Sequence, residues 1–279
     1  MEDNKYLMLS TLDKSQEDIM KVIKKYLETR EGTYSFYFEE INSGYLYGLN
    51  ENKEMLSAGC IKLPLAIGLL KEVENGKIDL NSKINIEAID KIHGANGIIH
   101  EFSGKEYSIF DLLIAMLIQS DNTAANKIIE ILSINRVNEL FKDIGLKDTK
   151  LKRITTDIKL EQDELENVTS SYDLSKCFKL LYLNQYLNKE NCELLIHILK
   201  KQQVTNKLPF YIPKQVQLNI ANKGGSLDTV ENDASIIMIE KGNFLFTVMA
   251  NNLPNNVYGI TTISRVGKMM WDIIDKDWK

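Results

Sequence analysis

Large apolar residues alternate with polar ones in two separate parts of the chain, and both parts predict β structure. Residues 33–50 alternate on either side of a turn at residues 42–44, which is typical of a β-hairpin. Residues 215–251 contain short β-rich runs separated by glycine and asparagine. Because strands from distant parts of a chain can pair, these two regions predict one antiparallel sheet.

Helical periodicity predicts the remaining elements. Residues 13–30 place apolar side chains at the spacing of an amphipathic helix, and residues 261–274 predict a last helix after the final strand. Between the two β regions, residues from about 58 to 205 contain apolar helical runs and loops, and they predict an all-helical block.

This order of elements predicts an α+β fold, in which an antiparallel sheet is flanked by the terminal helices and a helical domain is inserted. We expect a discontinuous sheet domain of residues 1–56 and 206–279, and a helical domain of residues 57–205. A ligand cleft is expected where the two domains meet.

Composition excludes several classes of function for these 279 residues. The formal net charge of −5 argues against nucleic acid as the main partner, since phosphate binding requires a basic face. No run of about 18 apolar residues predicts a membrane span, and the acidic start is unlike a signal peptide, so the compartment stays open. The three cysteines and three histidines are scattered and predict neither a metal site nor a cofactor. We expect a monomer with a small-molecule or peptide ligand.

Three short motifs contain candidate chemistry. Lys62 lies in an apolar helix, Ser120-Asp121-Asn122 separates two helices, and Lys223-Gly224-Gly225 follows a β-rich run. Taken singly, they could be a lysine whose amine reaches solvent, a helix cap and a glycine turn. Their order along the chain and the elements around them favour a shared functional site instead.

Together these motifs resemble the S-x-x-K, S-D-N and K-T-G signatures of the class A β-lactamase and penicillin-binding-protein superfamily of serine hydrolases. The runs at residues 94–129 and 166–174 also resemble that family. The resemblance implies a β-lactamase-like fold and hydrolysis of β-lactam amides through an acyl-enzyme. It also implies a secreted or cell-envelope protein.

The resemblance further assigns roles to individual residues. Ser120 would relay a proton to the leaving nitrogen, and Asn122 would orient the substrate and Lys62. Lys223 would hold the substrate carboxylate, with Gly225 and Ser226 beside it in the substrate-binding strand. Gly224 stands where the family usually has a hydroxyl residue, which removes one donor to that carboxylate.

Residue 59 departs from the family at the nucleophile position, because S-x-x-K requires serine three residues before Lys62 and this chain has Gly59. Residues i and i+3 share one helix face, which lets an amine take the proton of a hydroxyl. Ser57 and Cys60 have other offsets from Lys62 and point elsewhere. The sequence therefore predicts no covalent acyl-enzyme and negligible turnover, while non-covalent binding survives. It leaves open whether Gly59 is natural or engineered.

The loop of residues 153–169 is the second departure. It contains Asp157, Glu161, Asp163, Glu164 and Glu166, but none of them stands in the E-x-x-L-N pattern that supplies the deacylating base in class A enzymes. A solvated acidic loop is the simpler interpretation. Arg153 is expected to pair with a later acid of this loop and hold its shape.

Three interpretations follow. The chain is a β-lactamase-type hydrolase inactivated at residue 59, a penicillin-binding or cell-wall D-Ala-D-Ala peptidase relative, or a binding module that retains the cleft. If replacing Gly59 by serine restores acylation, the chain has lost only its nucleophile. If acylation is not restored, the rest of the active site has been lost as well.

Overall fold

The computed structural model describes residues 14–93, 97–155, 166–276 and Trp278. The helices are α1 (Lys14–Glu28), α2 (Lys62–Glu74), α3 (Ile109–Ile118), α4 (Asn122–Leu132), α5 (Ile134–Ile144), α6 (Ser171–Tyr182), α7 (Lys189–Leu199), α8 (Lys214–Gln217) and α9 (Asn256–Lys276). The strands are β1 (Thr33–Glu40), β2 (Tyr45–Leu49), β3 (Met55–Leu56), β4 (Lys83–Asn85), β5 (Glu106–Ser108), β6 (Val168–Thr169), β7 (Ile220–Leu227), β8 (Val230–Ile239) and β9 (Gly242–Asn251).

Five strands from the two ends of the chain form one antiparallel sheet in the order β2-β1-β9-β8-β7. The sheet predicted from residues 33–50 and 215–251 is therefore confirmed. Its late part begins at Ile220 rather than at 215, because Pro213 accepts hydrogen bonds from the backbone of Val216 and Gln217 and starts the short helix α8.

The middle of the chain is mainly helical, but the prediction of an all-helical block is wrong in detail. Two short antiparallel ladders interrupt it, one between β3 and β6 and one between β4 and β5. The β3–β6 ladder leads directly into the 3₁₀ turn at residues Ala58–Ile61 and helix α2. These ladders are only two or three residues long, so their alternation leaves too short a pattern to recognise in the sequence.

The sheet separates two hydrophobic cores. In β9, the side chains of Phe244, Phe246 and Val248 join the core that includes α1 and α9, whereas Leu245 and Met249 join the core of the middle helices. This follows from the two-residue period of a strand, which sends successive side chains to opposite faces. The middle helices and one sheet face thus share a continuous core. The division into domains at residues 56/57 and 205/206 stays a prediction.

Candidate active site

Gly59 lies in the 3₁₀ turn that joins β3 to α2, and this turn packs against β7. A side chain at position 59 would point toward Ser120, since an ideal Cβ there would be 2.8 Å from Ser120 Oγ. The same Cβ would be 3.3 Å from the carbonyl oxygen of Gly224 and 3.4 Å from Gly225 Cα. Position 59 therefore faces both other motifs.

Lys62 is the first residue of α2, and its side chain is buried, with only 3% exposed. Its amine lies 2.5 Å from the backbone oxygen of Ser120, 2.5 Å from Asn122 Oδ1 and 3.2 Å from Ser120 Oγ. Burial, together with the neighbouring Lys223 amine, lowers the pKa of Lys62 well below its ordinary value. Both effects disfavour the charged form of this amine.

The Ser120-Asp121-Asn122 segment caps a helix and also contacts Lys62. Asp121 caps α4 by accepting a hydrogen bond from the Ala124 N–H at 2.8 Å, and it also accepts from the N–H groups of Ile98 and Ile99. Ser120 has a positive φ of 55°, which a non-glycine residue adopts only when its surroundings hold it. These contacts fix Ser120 and Asn122 on the side of Lys62.

Lys223 approaches the same hydroxyl from the sheet. Its side chain is fully buried, and its amine donates to Ser120 Oγ at 3.0 Å and to the carbonyl oxygen of Gly224 at 2.7 Å. Burial lowers the pKa of Lys223 to about 8. At neutral pH it is still mainly an ammonium, so Ser120 Oγ lies between a charged lysine and one whose charged form is disfavoured.

The two glycines after Lys223 have different surroundings. An ideal Cβ on Gly225 would be 2.4 Å from the backbone nitrogen of Gly59 and 2.8 Å from that of Cys60, so only glycine allows this close approach. At Gly224 the nearest atom to such a Cβ is 3.5 Å away. Ser226 is exposed, and its hydroxyl donates to Glu231 at 2.7 Å and accepts from Lys207 at 3.1 Å.

A buried charged cluster supports this strand, and the sequence interpretation missed it. Lys207 forms an ion pair with Glu231 at 2.6 Å and donates to the carbonyl oxygen of Gly225 at 2.8 Å. Asp233 accepts from the backbone of Leu208, and burial raises the pKa of its carboxyl. The signal that could have found it is the polar run at residues 231–233 at the start of an otherwise apolar strand.

The other nucleophile candidates near position 59 are already engaged. The Cys60 thiol is fully buried, donates to the carbonyl oxygen of Lys223 at 3.2 Å, and has its pKa raised by burial to about 12. Because thiolates rather than thiols are nucleophilic, Cys60 is inert near neutral pH. Ser57 is also buried, and its hydroxyl donates to the carbonyl oxygen of Ala58 at 3.3 Å.

The described ends of the 153–169 loop are tied together. Arg153 forms an ion pair with Glu166, which confirms the expected pairing of Arg153 with a later acid of this loop. Asn126 holds Thr155 through hydrogen bonds to both its N–H and its carbonyl oxygen, at 2.9 and 2.7 Å. Asp157, Glu161, Asp163 and Glu164 lie outside the described residues, so a deacylating base is not assigned.

Two further observations concern the described residues as a whole. Among them, no cluster of three or more histidine, cysteine or carboxylate side chains is arranged to hold a metal ion. None of the described helices is long and apolar enough to cross a bilayer.

The whole architecture has relatives among known proteins. Residues 16–274 match the family model described as the beta-lactamase enzyme family. The Pseudomonas aeruginosa beta-lactamase CARB-3 is 26% identical over 213 residues, covering 75% of this chain and 72% of the relative. The Bacillus subtilis D-alanyl-D-alanine carboxypeptidase DacF is 25% identical over 150 residues, which is 52% of this chain and 37% of that protein.

A crystal structure of beta-lactamase from Sphaerobacter thermophilus superimposes with a TM-score of 0.84 at 25% identity, covering 95% of this chain and 98% of the other. The fold class expected from the order of helices and strands is thereby confirmed.

Proposed function

The chain belongs to the beta-lactamase enzyme family, and we propose that its cleft binds β-lactams or acyl-D-alanyl-D-alanine peptides without hydrolysing them. The observation that supports this proposal is the convergence on Ser120 Oγ. Lys62 and Lys223 contact this hydroxyl at 3.2 and 3.0 Å, beside the empty face of Gly59. A base, a proton relay and a cation for a carboxylate are thus within reach of one ligand.

In this proposal Lys62 acts as a general base and Asn122 orients it. The neutral amine has two N–H donors and one lone pair. The donors are used by the backbone oxygen of Ser120 and by Asn122 Oδ1, both at 2.5 Å. The amine also contacts Ser120 Oγ, as a donor at 3.2 Å, and in the neutral form its lone pair can accept the proton of this hydroxyl.

Lys223 would hold the carboxylate of the ligand. Its ammonium is buried, and an ionic contact there is stronger than in water. Gly225 and Ser226 would line the same strand beside the ligand. With glycine at 224, Lys223 has no neighbouring hydroxyl to share the carboxylate.

Loss of turnover follows from Gly59, which has no hydroxyl to attack the amide carbonyl. In a serine protease of another fold, removal of the nucleophile costs about a millionfold in rate, although the remaining groups still bind and orient the substrate. We therefore expect binding of penicillin without release of hydrolysed product.

A second candidate, a cell-wall peptidase relative, is favoured by the loop. Glu166 is the carboxylate that the described part of this loop contains, and it is committed to Arg153. At the start of this loop, the residue whose backbone is held by Asn126 is Thr155 rather than an acid. If the carboxylates of this loop outside the described residues activate no water either, an acyl group placed on a serine at position 59 would be long-lived.

The test compares Gly59→Ser with the unsubstituted Gly59 sequence, for which the name natural chain is used below whatever the origin of that glycine. The introduced side chain requires Ser120 Oγ, 2.8 Å from the new Cβ, to rotate away, and this is the movable end of a short side chain. Each protein is incubated with benzylpenicillin and analysed by intact mass spectrometry, and the site of any adduct is found by peptide mapping. Gly104→Ser is the matched control, because its new Cβ would meet only the Tyr107 side chain, at 3.3 Å or more.

We expect Gly59→Ser to be acylated at the introduced serine, and Gly104→Ser to behave like the natural chain. A slowly lost adduct supports the peptidase relative, whereas rapid product release indicates a deacylating base in the loop. Binding to the natural chain is measured by calorimetry with penicillin and with its methyl ester, which lacks the carboxylate. If a folded Gly59→Ser takes up no acyl group and the natural chain binds neither ligand, the proposed function is wrong.

A further inference from the structure

The Ser120 hydroxyl lies directly beside position 59, where the family has its nucleophile. It is 2.8 Å from the position of a Cβ at residue 59, closer than unbonded side-chain atoms tolerate, so a side chain there would displace it. Glycine at 59 therefore leaves Ser120 Oγ as the hydroxyl that the two lysines share.

We propose that Ser120 is itself the nucleophile of this chain and forms a Ser–Lys dyad with Lys62, which captures the carbonyl of a bound amide as an ester. This inference rests on the proposed function, because the ligand must first bind in the cleft. It differs from the expectation drawn from the sequence, which considered a hydroxyl only at or next to position 59.

The geometry supplies what a serine nucleophile needs. Lys62 is 3.2 Å from the hydroxyl, within the reach of direct proton transfer. Lys223 donates to the same oxygen at 3.0 Å and stabilises negative charge that develops on it. The backbone of Ser120 has a positive φ, and the hydrogen bonds of Asp121 maintain that backbone next to Lys62.

The reaction balances without any further reagent. Ser120 Oγ forms a bond to the amide carbonyl carbon, and its proton passes to the neutral Lys62 amine. The bond between that carbon and the amide nitrogen then breaks, and the Lys62 ammonium gives the proton to the departing nitrogen. The products are a seryl ester and an amine, which stay on one molecule when the amide is a β-lactam ring.

Competing nucleophiles near the site are less suited to this chemistry. Cys60 is a buried thiol that donates to a backbone oxygen, and Ser57 donates to the carbonyl oxygen of Ala58. Neither has an amine at hydrogen-bond distance among its described contacts. Because only 3% of Ser120 is exposed, we expect its acylation to be slow.

The experiment uses the natural chain and benzylpenicillin, with intact mass spectrometry followed by peptide mapping. We expect a gain of one penicillin per chain, located on Ser120. Ser120→Ala should abolish the adduct, and Lys62→Met should slow its formation by about 10²–10⁴-fold, the usual contribution of a general base. Ser57→Ala and Cys60→Ala are matched controls that should leave it unchanged.

Each outcome decides between the two proposals. An adduct mapped to Ser57, Cys60 or a surface residue overturns the Ser120 assignment, and mapping on the natural chain keeps this result independent of whether Ser120→Ala folds. If the natural chain gains no mass while Gly59→Ser is acylated, the Ser120 inference fails and the proposed function stands. If neither protein is acylated and the natural chain binds no penicillin, both fail.

Discussion

The contact between Gly225 and the turn at Gly59 predicts the result of adding a single methyl group. In Gly225→Ala, the new Cβ would start 2.4 Å from the backbone nitrogen of Gly59 and 2.8 Å from that of Cys60. Ordinary van der Waals contact begins near 3.4 Å, so the turn must retreat from β7 by about 1 Å. Both obstructing atoms belong to the backbone and cannot rotate away.

Overpacking of a well-filled interior typically costs about 1–3 kcal/mol, and more when the backbone must move. We therefore expect Gly225→Ala to lower the free energy of unfolding by about 3 kcal/mol or more. For a chain of 279 residues, this corresponds to a fall in Tm of roughly 5 °C or more. The retreat would also separate position 59 from Ser120, so Gly59→Ser combined with Gly225→Ala should lose acylation.

Gly224→Ala is the matched control in the neighbouring residue of the same strand. Its Cβ would meet no atom closer than 3.5 Å, and replacing a glycine in extended backbone reduces the entropy of the unfolded chain. We expect Gly224→Ala to change the free energy of unfolding by no more than about 1 kcal/mol, in either direction. Urea unfolding followed by circular dichroism measures both variants, with an unchanged slope m showing that only stability has changed. Equal stability of the two alanine variants would refute the argument from close approach.

Two further predictions concern titrating groups. Acylation of Gly59→Ser needs a neutral Lys62 and a charged Lys223, so its rate should rise with pH as Lys62 loses its proton and fall above about pH 8, where Lys223 loses its own. Stopped-flow acylation rates measure this, and a rate that keeps rising to pH 10 contradicts the role of Lys223. Second, Arg136 and Lys77 hold the pKa of the buried Glu72 near 2, below the 4.5 of a free side chain. This stabilisation is present above about pH 4.5 and is lost as pH falls toward 2. Glu72→Gln should therefore lower the free energy of unfolding by about 1–3 kcal/mol at pH 7, and the two proteins should become equally stable in acid. Urea unfolding at several pH values tests it, and an unchanged difference at pH 3 would count against it.

Much of the fold could be predicted because its signals are local. The alternation in β1 and the turn before β2 belong to one short segment, and the apolar periodicity of the helices needs no knowledge of their partners. The convergence of Lys62, Ser120 and Lys223 was expected only because their order resembles a known family, since 161 residues separate the two lysines. Their roles remain predictions.

The missed features depend on contacts that no local pattern encodes. Lys207 and Glu231 are 24 residues apart, and their burial as an ion pair becomes visible only when Lys207, which precedes β7, packs against β7 and β8. The proximity of Ser120 Oγ to the face of Gly59 likewise comes from the packing of three elements. In contrast, Arg153 and Glu166 lie within one loop, where a basic residue and several acids leave few choices of partner.

The sheet order imposes a sequence of events on folding. The early hairpin joins the sheet only through β9, with Phe36 opposite Val248, so this pairing closes a loop of more than 200 residues. The free-energy cost of closing a loop grows by only about 0.6 kcal/mol for each doubling of the loop length, and prior folding of the middle helices shortens the effective loop. During synthesis, however, the apolar face of β1 must wait until nearly the whole chain has left the ribosome. Its unpaired edge is then the segment most open to aggregation, and we expect slow refolding dominated by this long-range pairing.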